Sequence, residues 1–471
     1  MTTTPVRPPS PRRPDHDVRR FADDPLRWFG GDRASMHRLP APDLAALQLA
    51  ALRMRFTELV DRLPVVGALA REQNLDGIGA LDDAAQLLLP HTVYKSYPPS
   101  LLSQGRFDQL TRWISRLTTV DLSGLDTSGC DSVDAWLTLI DDRTRLRLAH
   151  SSGTSGTMSF VPHTAEQYGL LYEIVRHDTV PAGTPADEPV HVVWPSYRSG
   201  RSGIARHATA MFEQLSRHSP DHFHTLDPGH LSADLMLLAA RVKAAGGRPG
   251  QVEIPAALRE QRDRYLAGRR SAPEAMRRFT ADLAERLRGE RVVSLSLWET
   301  YHEWARAGLD QGLDGVFAPD SVLMPGGGTK GSVLPDDWAA QVARFAGVPS
   351  VRLVYAMVEL IMLSLVCPAG AYHVEPWIVP YVLDPDTGRP LPRQGTVRGR
   401  AAFFDLTADV YWGGFVTGDR VAVSYDPCSC GRTTPRVEPG ISRFEDDDKI
   451  TCAATPEALD DALEYLADAA L

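Results

Sequence analysis

Residues 150–162 read His-Ser-Ser-Gly-Thr-Ser-Gly-Thr-Met-Ser-Phe-Val-Pro. Gly153 and Gly156 can take positive φ and bring main-chain N–H groups close together, while Ser151, Ser152, Thr154, Ser155 and Thr157 add O–H donors to the same concavity. A loop of this kind suits phosphate. It is not a Walker loop, because the Gly-Lys-Ser/Thr ending that aims an ammonium at the β/γ-phosphates is absent. A solvated Ser/Gly linker has the same composition, so the flanking segments must decide between the two.

Outward from the loop, helical and strand-like patterns alternate. Strand-like apolar runs stand at 190–194, 292–297, 351–353 and 361–366, and helical patterns at 233–245 and 272–288. Such alternation predicts an α/β fold of mainly parallel sheets flanked by helices. Residues 375–383, 396–404 and 420–425, separated by Pro/Gly/Asp turns, predict antiparallel strands of a smaller β subdomain over 366–440. Upstream, apolar residues recur at helical spacing over 40–63, opened by Pro-Asp, and 82–89 reads as another short helix. The expected organisation is therefore a disordered arm at 1–17, a helical N-terminal extension at 18–89, a core at 90–440 and a short tail at 441–471 ending in a helix.

Composition narrows the function classes. The 471 residues are 43% hydrophobic and 23% charged, enough for real cores, and the net charge of −10 leaves no electrostatic footprint for nucleic acid. No run approaches the roughly 20 apolar residues of a membrane helix, and the Pro/Arg-rich start lacks the apolar stretch of a secretory signal. Five cysteines without an export signal do not suggest a disulfide framework, so a cytoplasmic protein is expected.

Cys367 and His373, with Cys428 and Cys430 behind a turn at Asp426-Pro427, provide four thiolate or imidazole ligands in two clusters. They fit a closed, structural Cys₃His zinc site, although the spacings are not those of zinc fingers. Buried, unmetallated cysteines are the alternative. The stretch 196–206, with three arginines and two glycines, could hold phosphopantetheine, CoA or an anionic acid, or be a flexible basic surface loop. His222, His224 and His230 show no metal spacing.

Four further segments follow the Ser/Gly loop in order: Gly326-Gly327-Gly328-Thr329-Lys330, Tyr355-Ala-Met-Val-Glu359, Thr417-Gly418-Asp419, and Arg443 with Glu445-Asp446-Asp447-Asp448 behind it. With Tyr94-Lys-Ser-Tyr97 and Cys428-Ser-Cys-Gly-Arg-Thr-Thr-Pro-Arg436, this order resembles the adenylate-forming superfamily over roughly 90–450. It is most similar to the branch of phenylacetate-CoA ligases and LuxE-like acyl-protein synthetases. The resemblance implies that the Ser/Thr/Gly loop grips the β/γ-phosphates of ATP, with Thr154 among the catalytic groups. Glu359 would hold a bridging Mg²⁺, Tyr355 would pack on adenine, and Asp419 and Arg443 would bind the ribose. Relatives in that branch carry a similar Cys…His…Cys-x-Cys arrangement, which supports zinc.

The resemblance also implies the activity: an acid is activated as an acyl-adenylate with loss of pyrophosphate, then passed to a thiol or amine, with CoA or a carrier protein as candidate acceptors. Alternatives are delivery to a partner reductase, activation of a small non-carboxylic acid, or a weakened nucleotide- or carrier-binding protein. Departures exist. Met158-Ser159 stands where the family has Pro-Lys, Ala356 and Val358 replace Gly and Thr, and no counterpart of the superfamily's mobile C-terminal domain is expected within the stretch after residue 450. Lys330 is proposed to supply charge to the substrate carboxylate or α-phosphate, and Cys452 is read as an inert thiol, with acyl acceptor as the alternative. Taken singly, Tyr355 and Glu359 could be a surface helix pair, Asp419 a turn residue and Arg443 a solvated ion pair.

Overall fold

A computed structural model describes residues 14–151, 157–237, 256–327 and 334–444, with side chains over 17–151, 157–237, 271–327 and 334–444. In chain order the strands are β1 (Leu89–Pro90), β2 (Leu146–His150), β3 (Phe160–Thr164), β4 (His191–Gly200), β5 (Phe223–Leu231), β6 (Val292–Leu297) and β7 (Val322–Gly326). They continue as β8 (Val354–Ala356), β9 (Leu363–Leu365), β10 (Tyr372–His373), β11 (Ile378–Leu383), β12 (Thr396–Asp405), β13 (Gly414–Ser424), β14 (Arg436–Val437) and β15 (Ser442–Arg443).

Strands β5-β4-β6-β7 form a parallel sheet. Its connections run through helices such as Gly203–Gln214 and Trp298–Leu309, as parallel pairing requires. The strands β6 and β7 are buried almost throughout, which is why they read as continuous apolar runs rather than as alternation. A second sheet, β10-β14-β13-β12-β11, is antiparallel; β1 joins β13 in parallel, and β15 pairs β13 at Asp419↔Arg443. The hairpins β2-β3 and β8-β9 are separate two-stranded sheets.

The α/β class expected from the sequence is the one observed, with corrections to the elements. The strand placed at 351–353 begins at Val354, because Arg352 only donates one backbone bond to Leu323 beside β7 before the ladder with β9 starts. The second N-terminal helix is a 3₁₀ segment, Leu81–Leu87, whose start is held by the Asp83 carboxylate accepting from the amides of Gly79 and Ala80. The helix read at 272–288 is Ala256–Arg286 and runs through Pro273. A helix Pro14–Asp23 enters the segment read as a disordered arm; residues 1–13 and the tail from 445, with its terminal helix and Cys452, lie outside the described residues.

The largest apolar cluster joins Phe21, Phe56 and Leu59 of the N-terminal helices to Phe403 and Phe404 of β12 and to Trp377 and Trp412, which precede β11 and β13. Buried Arg55 fastens the same contact, donating from Nε to the Leu406 carbonyl at 2.8 Å while its other arms meet Asp23 and Glu58. The N-terminal helices thus form one face of the core that carries the site.

Candidate active site and metal centre

The Ser/Gly loop leaves the end of β2 and returns into β3. Its tip, Ser152 to Gly156 and so Thr154, lies outside the described residues, but its stem is built. Ser159 donates from its backbone N–H to Ser151 Oγ at 3.0 Å, and the two hydroxyls meet at 3.1 Å. The Tyr97 hydroxyl donates to the Met158 carbonyl at 2.7 Å, so the residues standing where the family has Pro-Lys fasten the stem instead. His150, at the loop's start, bridges to Ser202 just past β4, which brings the stem to the carboxyl end of the parallel sheet, the usual ligand side of such sheets.

Thr417, Gly418 and Asp419 lie in β13 and not in a turn. The Thr417 hydroxyl donates to the Ala401 carbonyl at 2.8 Å and accepts from the Asp419 amide at 3.0 Å, which sets the aspartate's direction. Tyr355, in β8, is buried and donates its hydroxyl to Asp419 Oδ2 at 3.1 Å. Arg443 Nε meets Asp419 Oδ1 at 3.3 Å across the β13-β15 ladder, with its side chain 83% exposed. Tyr355 and Glu359 therefore do not share a helix: Glu359 follows β8 in a turn.

Burial pushes the Glu359 carboxyl above the usual range; Arg443 and Lys95 oppose that shift and Asp419 adds to it. His91 is lowered to about 4 by burial, then by Lys95, Arg443 and Arg400. Two carboxylates, Glu359 and Asp419, thus share the electrostatic neighbourhood of Lys95, Arg443 and Arg400. Lys95 and His91 belong to the 3₁₀ segment His91–Lys95 and were missed as site residues; the signal was Lys95 inside the Tyr94–Tyr97 motif. Gly326 ends β7 and Gly327 follows at φ +83°, a conformation that favours glycine; Gly328 and Lys330 lie outside the described residues.

The basic stretch 196–206 is neither a flexible loop nor a set of free phosphate ligands. Arg201 and Arg206 both bind Asp141, Arg206 in fork geometry at 2.8 and 2.7 Å, and Arg198 lies over the Phe212 ring at 4.4 Å. Their charge holds β4 and the following helix against the helix Val133–Arg143.

Cys367, His373, Cys428 and Cys430 converge, all four ligand atoms lying within 4.8 Å of one another. Two tight turns present them: the Gly370 amide donates to the Cys367 carbonyl and the Gly431 amide to that of Cys428, both glycines at left-handed φ (+83° and +85°). His373 Nε2 faces Cys430 Sγ at 3.2 Å, while Nδ1 is 3.2 Å from the Thr434 carbonyl. That carbonyl can only accept, so Nδ1 carries the proton and Nε2 has its lone pair toward the thiols, the outer-shell arrangement usual for metal-bound imidazole. The soft donor set and its spacing fit a tetrahedral ion with bonds of about 2.0–2.3 Å.

No family model matches the chain. A stretch of 82 residues is 40% identical to phenylacetate-coenzyme A ligase of Thermus thermophilus, covering 16% of this chain but 17% of that ligase. Among solved structures, 2-hydroxyisobutyryl-CoA ligase with 2-HIB-AMP and CoA in its thioesterification state superposes over 92% of this chain and 75% of its own, with a TM-score of 0.54 and 14% identity. Its open conformation gives 0.53 over 88% and 78%, at 13% identity. The chain has the adenylate-forming fold, and it resembles that superfamily and its phenylacetate-CoA ligase branch as the order of its motifs implied. Among the described residues no helix is long and apolar enough to cross a membrane.

Proposed function

We propose that this protein is an adenylate-forming ligase that activates a carboxylic acid with ATP and passes the acyl group to a thiol or amine. The observation that carries this reading is the convergence of the Tyr355–Glu359 segment with Asp419 and Arg443, which lie 60 or more residues further along the chain. A carboxylate oxygen of the acid attacks the α-phosphorus, the bond from that phosphorus to the bridging oxygen breaks, and pyrophosphate leaves; the acceptor then attacks the acyl carbon and AMP leaves. Bringing two anions together is mainly a problem of positioning and charge. The loop hydroxyls and amides would hold the terminal phosphates. Asp419 would accept from the ribose hydroxyls while Tyr355 keeps its carboxylate oriented, and Arg443 would donate to the same sugar.

Glu359 is the residue that would hold Mg²⁺, a hard cation suited to a carboxylate oxygen, which on binding would offset charge on the phosphates. Lys95 lies on the same side of Glu359 as Arg443 in its electrostatic effect and is a candidate, beside Lys330, for the cation facing the acid. The acceptor is most simply CoA, which 2-hydroxyisobutyryl-CoA ligase binds; a carrier protein or amine would use the same adenylate.

Incubation with ATP, Mg²⁺ and a panel of acids, read as acid-dependent pyrophosphate release and hydroxylamine-trappable adenylate, is expected to be positive for at least one class of acid. A protein that binds ATP but releases no pyrophosphate with aliphatic, aromatic or hydroxy acids would instead be the nucleotide-binding module. Adding CoA then distinguishes a CoA ligase, which yields thioester, from a synthetase serving another acceptor.

The Cys₃His centre is proposed to hold structural zinc. Purified without chelator, the protein should contain one zinc per chain. Cys428→Ser should lose it and unfold at lower denaturant, because the unfolded chain has no such site and metal binding therefore adds to folding free energy. Full stability of that variant together with absence of zinc from the native protein would leave the cluster as buried thiols.

A further inference from the structure

We propose that Glu359 is aimed by a buried polar chain that grips the backbone on both sides of it, with His163 and Asp405 as its terminal positioning residues. Val358, which precedes Glu359, presents its carbonyl to His163 Nε2 at 2.5 Å. Ile361, two residues after Glu359, donates its amide to Asp405 Oδ2 at 3.0 Å, and its carbonyl accepts from Trp377 Nε1 at 3.1 Å. His163 and Asp405 are in turn joined. The Tyr411 hydroxyl meets His163 Nδ1 at 2.9 Å, and Gln167 Nε2 donates to Tyr411 Oη at 3.3 Å and to Thr407 Oγ1 at 3.2 Å. Thr407 Oγ1 lies 2.6 Å from Asp405 Oδ1.

Each link has one direction. A carbonyl can only accept, so Nε2 of His163 bears the proton and Nδ1 accepts from Tyr411. Gln167 Oε1 is taken by the Thr164 amide at the start of the helix Ala165–Thr179, which leaves its Nε2 to face Tyr411 and Thr407. Thr407 then donates to Asp405. Donors and acceptors match from Val358 round to Ile361, and the members are buried. A satisfied buried network has one arrangement and is costly to break.

A steric contact closes the remaining side. A β-carbon on Gly203, at the start of the helix Gly203–Gln214, would lie 2.3 Å from Val358 Cγ2, so the glycine admits the turn against that helix. The chain makes no contact with the reacting atoms in this account: it acts through Glu359, and its role in catalysis rests on the adenylation reading above.

The test compares the unaltered protein with His163→Phe, His163→Gln and Tyr411→Phe. Three quantities are measured: thermal midpoint, hydrogen exchange of peptides spanning 356–362, and the Mg²⁺ half-saturation and kcat of acid-dependent ATP–pyrophosphate exchange. His163→Phe should speed exchange in that segment about tenfold and raise the Mg²⁺ half-saturation about tenfold, the range expected when a buried polar partner is lost. Glutamine, whose Nε2–H can reach the Val358 carbonyl, should return both to within about threefold of the native values. Tyr411→Phe deletes one oxygen, keeps the ring and should shift both in the same direction, which keeps the test decidable where His163→Phe does not fold. The proposal is overturned if Mg²⁺ half-saturation stays native in the folded variants, or if His163→Gln restores nothing that His163→Phe lost. Absence of acid-dependent exchange in the unaltered protein would sink the adenylation reading, and the segment's hydrogen exchange would still decide the clamp.

Discussion

Glu359→Gln is expected to cut acid-dependent pyrophosphate release on the order of 10²-fold or more while leaving the fold and ATP binding without Mg²⁺ nearly intact. The substitution keeps shape and removes the charge that a bridging cation needs, and Lewis-acid stabilisation of phosphoryl transfer contributes several kcal/mol. The sign of the pH dependence follows from the same residue. Burial holds the Glu359 carboxyl above its ordinary range, with Asp419 adding to the shift and Arg443 and Lys95 opposing it. Its protonated form is therefore retained to higher pH than a free glutamate's, and protons compete with Mg²⁺ for the carboxylate. Apparent Mg²⁺ affinity should rise with pH through a midpoint above the usual carboxylate range, and this limb should vanish in Glu359→Gln. A glutamine variant with native turnover, or a pH limb that survives the substitution, would remove Glu359 from the reaction.

The parts of the site that were legible in the sequence are short contiguous motifs. Thr417-Gly418-Asp419 is readable only through its place in the motif order, since alone it reads as a turn; in the structure it lies in β13, where Thr417 is bonded on both sides and sets Asp419. Cys367, His373, Cys428 and Cys430 are readable because four soft ligands fall in two short clusters, and the turns closed by Gly370 and Gly431 bring them together. The positioning residues carry no such mark. His163 sits in a five-residue strand buried at every position, and Asp405 closes a run of apolar residues in β12, so each resembles an isolated polar exception whose partner lies over 190 and 40 residues away respectively. Long-range partners cannot be read from spacing. The arginines of 196–206 show the opposite limit. Clustered charge left a flexible basic loop and an anion site both open, and nothing in the sequence signals that Asp141, some 60 residues earlier, binds two of them.

The fold was legible where period and length agree. Buried parallel strands read as apolar runs and the antiparallel sheet as segments between turns, so the class follows from local pattern. What periodicity cannot show is which faces meet: the apolar contact of Phe21 and Phe56 with the antiparallel sheet is fixed in place by polar residues, Arg33, His37 and Arg55, whose partners are distant in sequence.

Arg33 makes that point quantitative. Its guanidinium bonds Asp178 at 3.0 and 2.9 Å and reaches the buried carboxylate of Glu375, Nη1 to Oε2 at 2.5 Å. Glu375 in turn faces His37 Nε2 at 3.4 Å, and His37 Nδ1 lies 2.8 Å from Thr434 Oγ1, which also touches the imidazole of His373. Burial alone would push the Glu375 carboxyl up; Arg33, then His37, more than reverse this and hold it down at about 2. Arg33→Ala leaves Glu375 as an uncompensated buried charge and should cost about 3–5 kcal/mol at neutral pH.

The pH dependence has a definite sign. With its pKa depressed on folding, Glu375 contributes stability that is present above the unfolded carboxylate value and lost as pH falls toward 2. In Arg33→Ala the same carboxyl rises instead, and His37, freed from the repulsion of Arg33 that now lowers its pKa after burial, can take a proton beside it. The deficit of the variant should therefore be largest near pH 8 and shrink on acidification toward pH 5. Guanidinium unfolding midpoints at the two pH values, with Arg33→Ala/Glu375→Gln as the control that removes the stranded charge, check this. Equal deficits at both pH values, or no recovery in the double variant, would show that Arg33 contributes packing and not charge compensation.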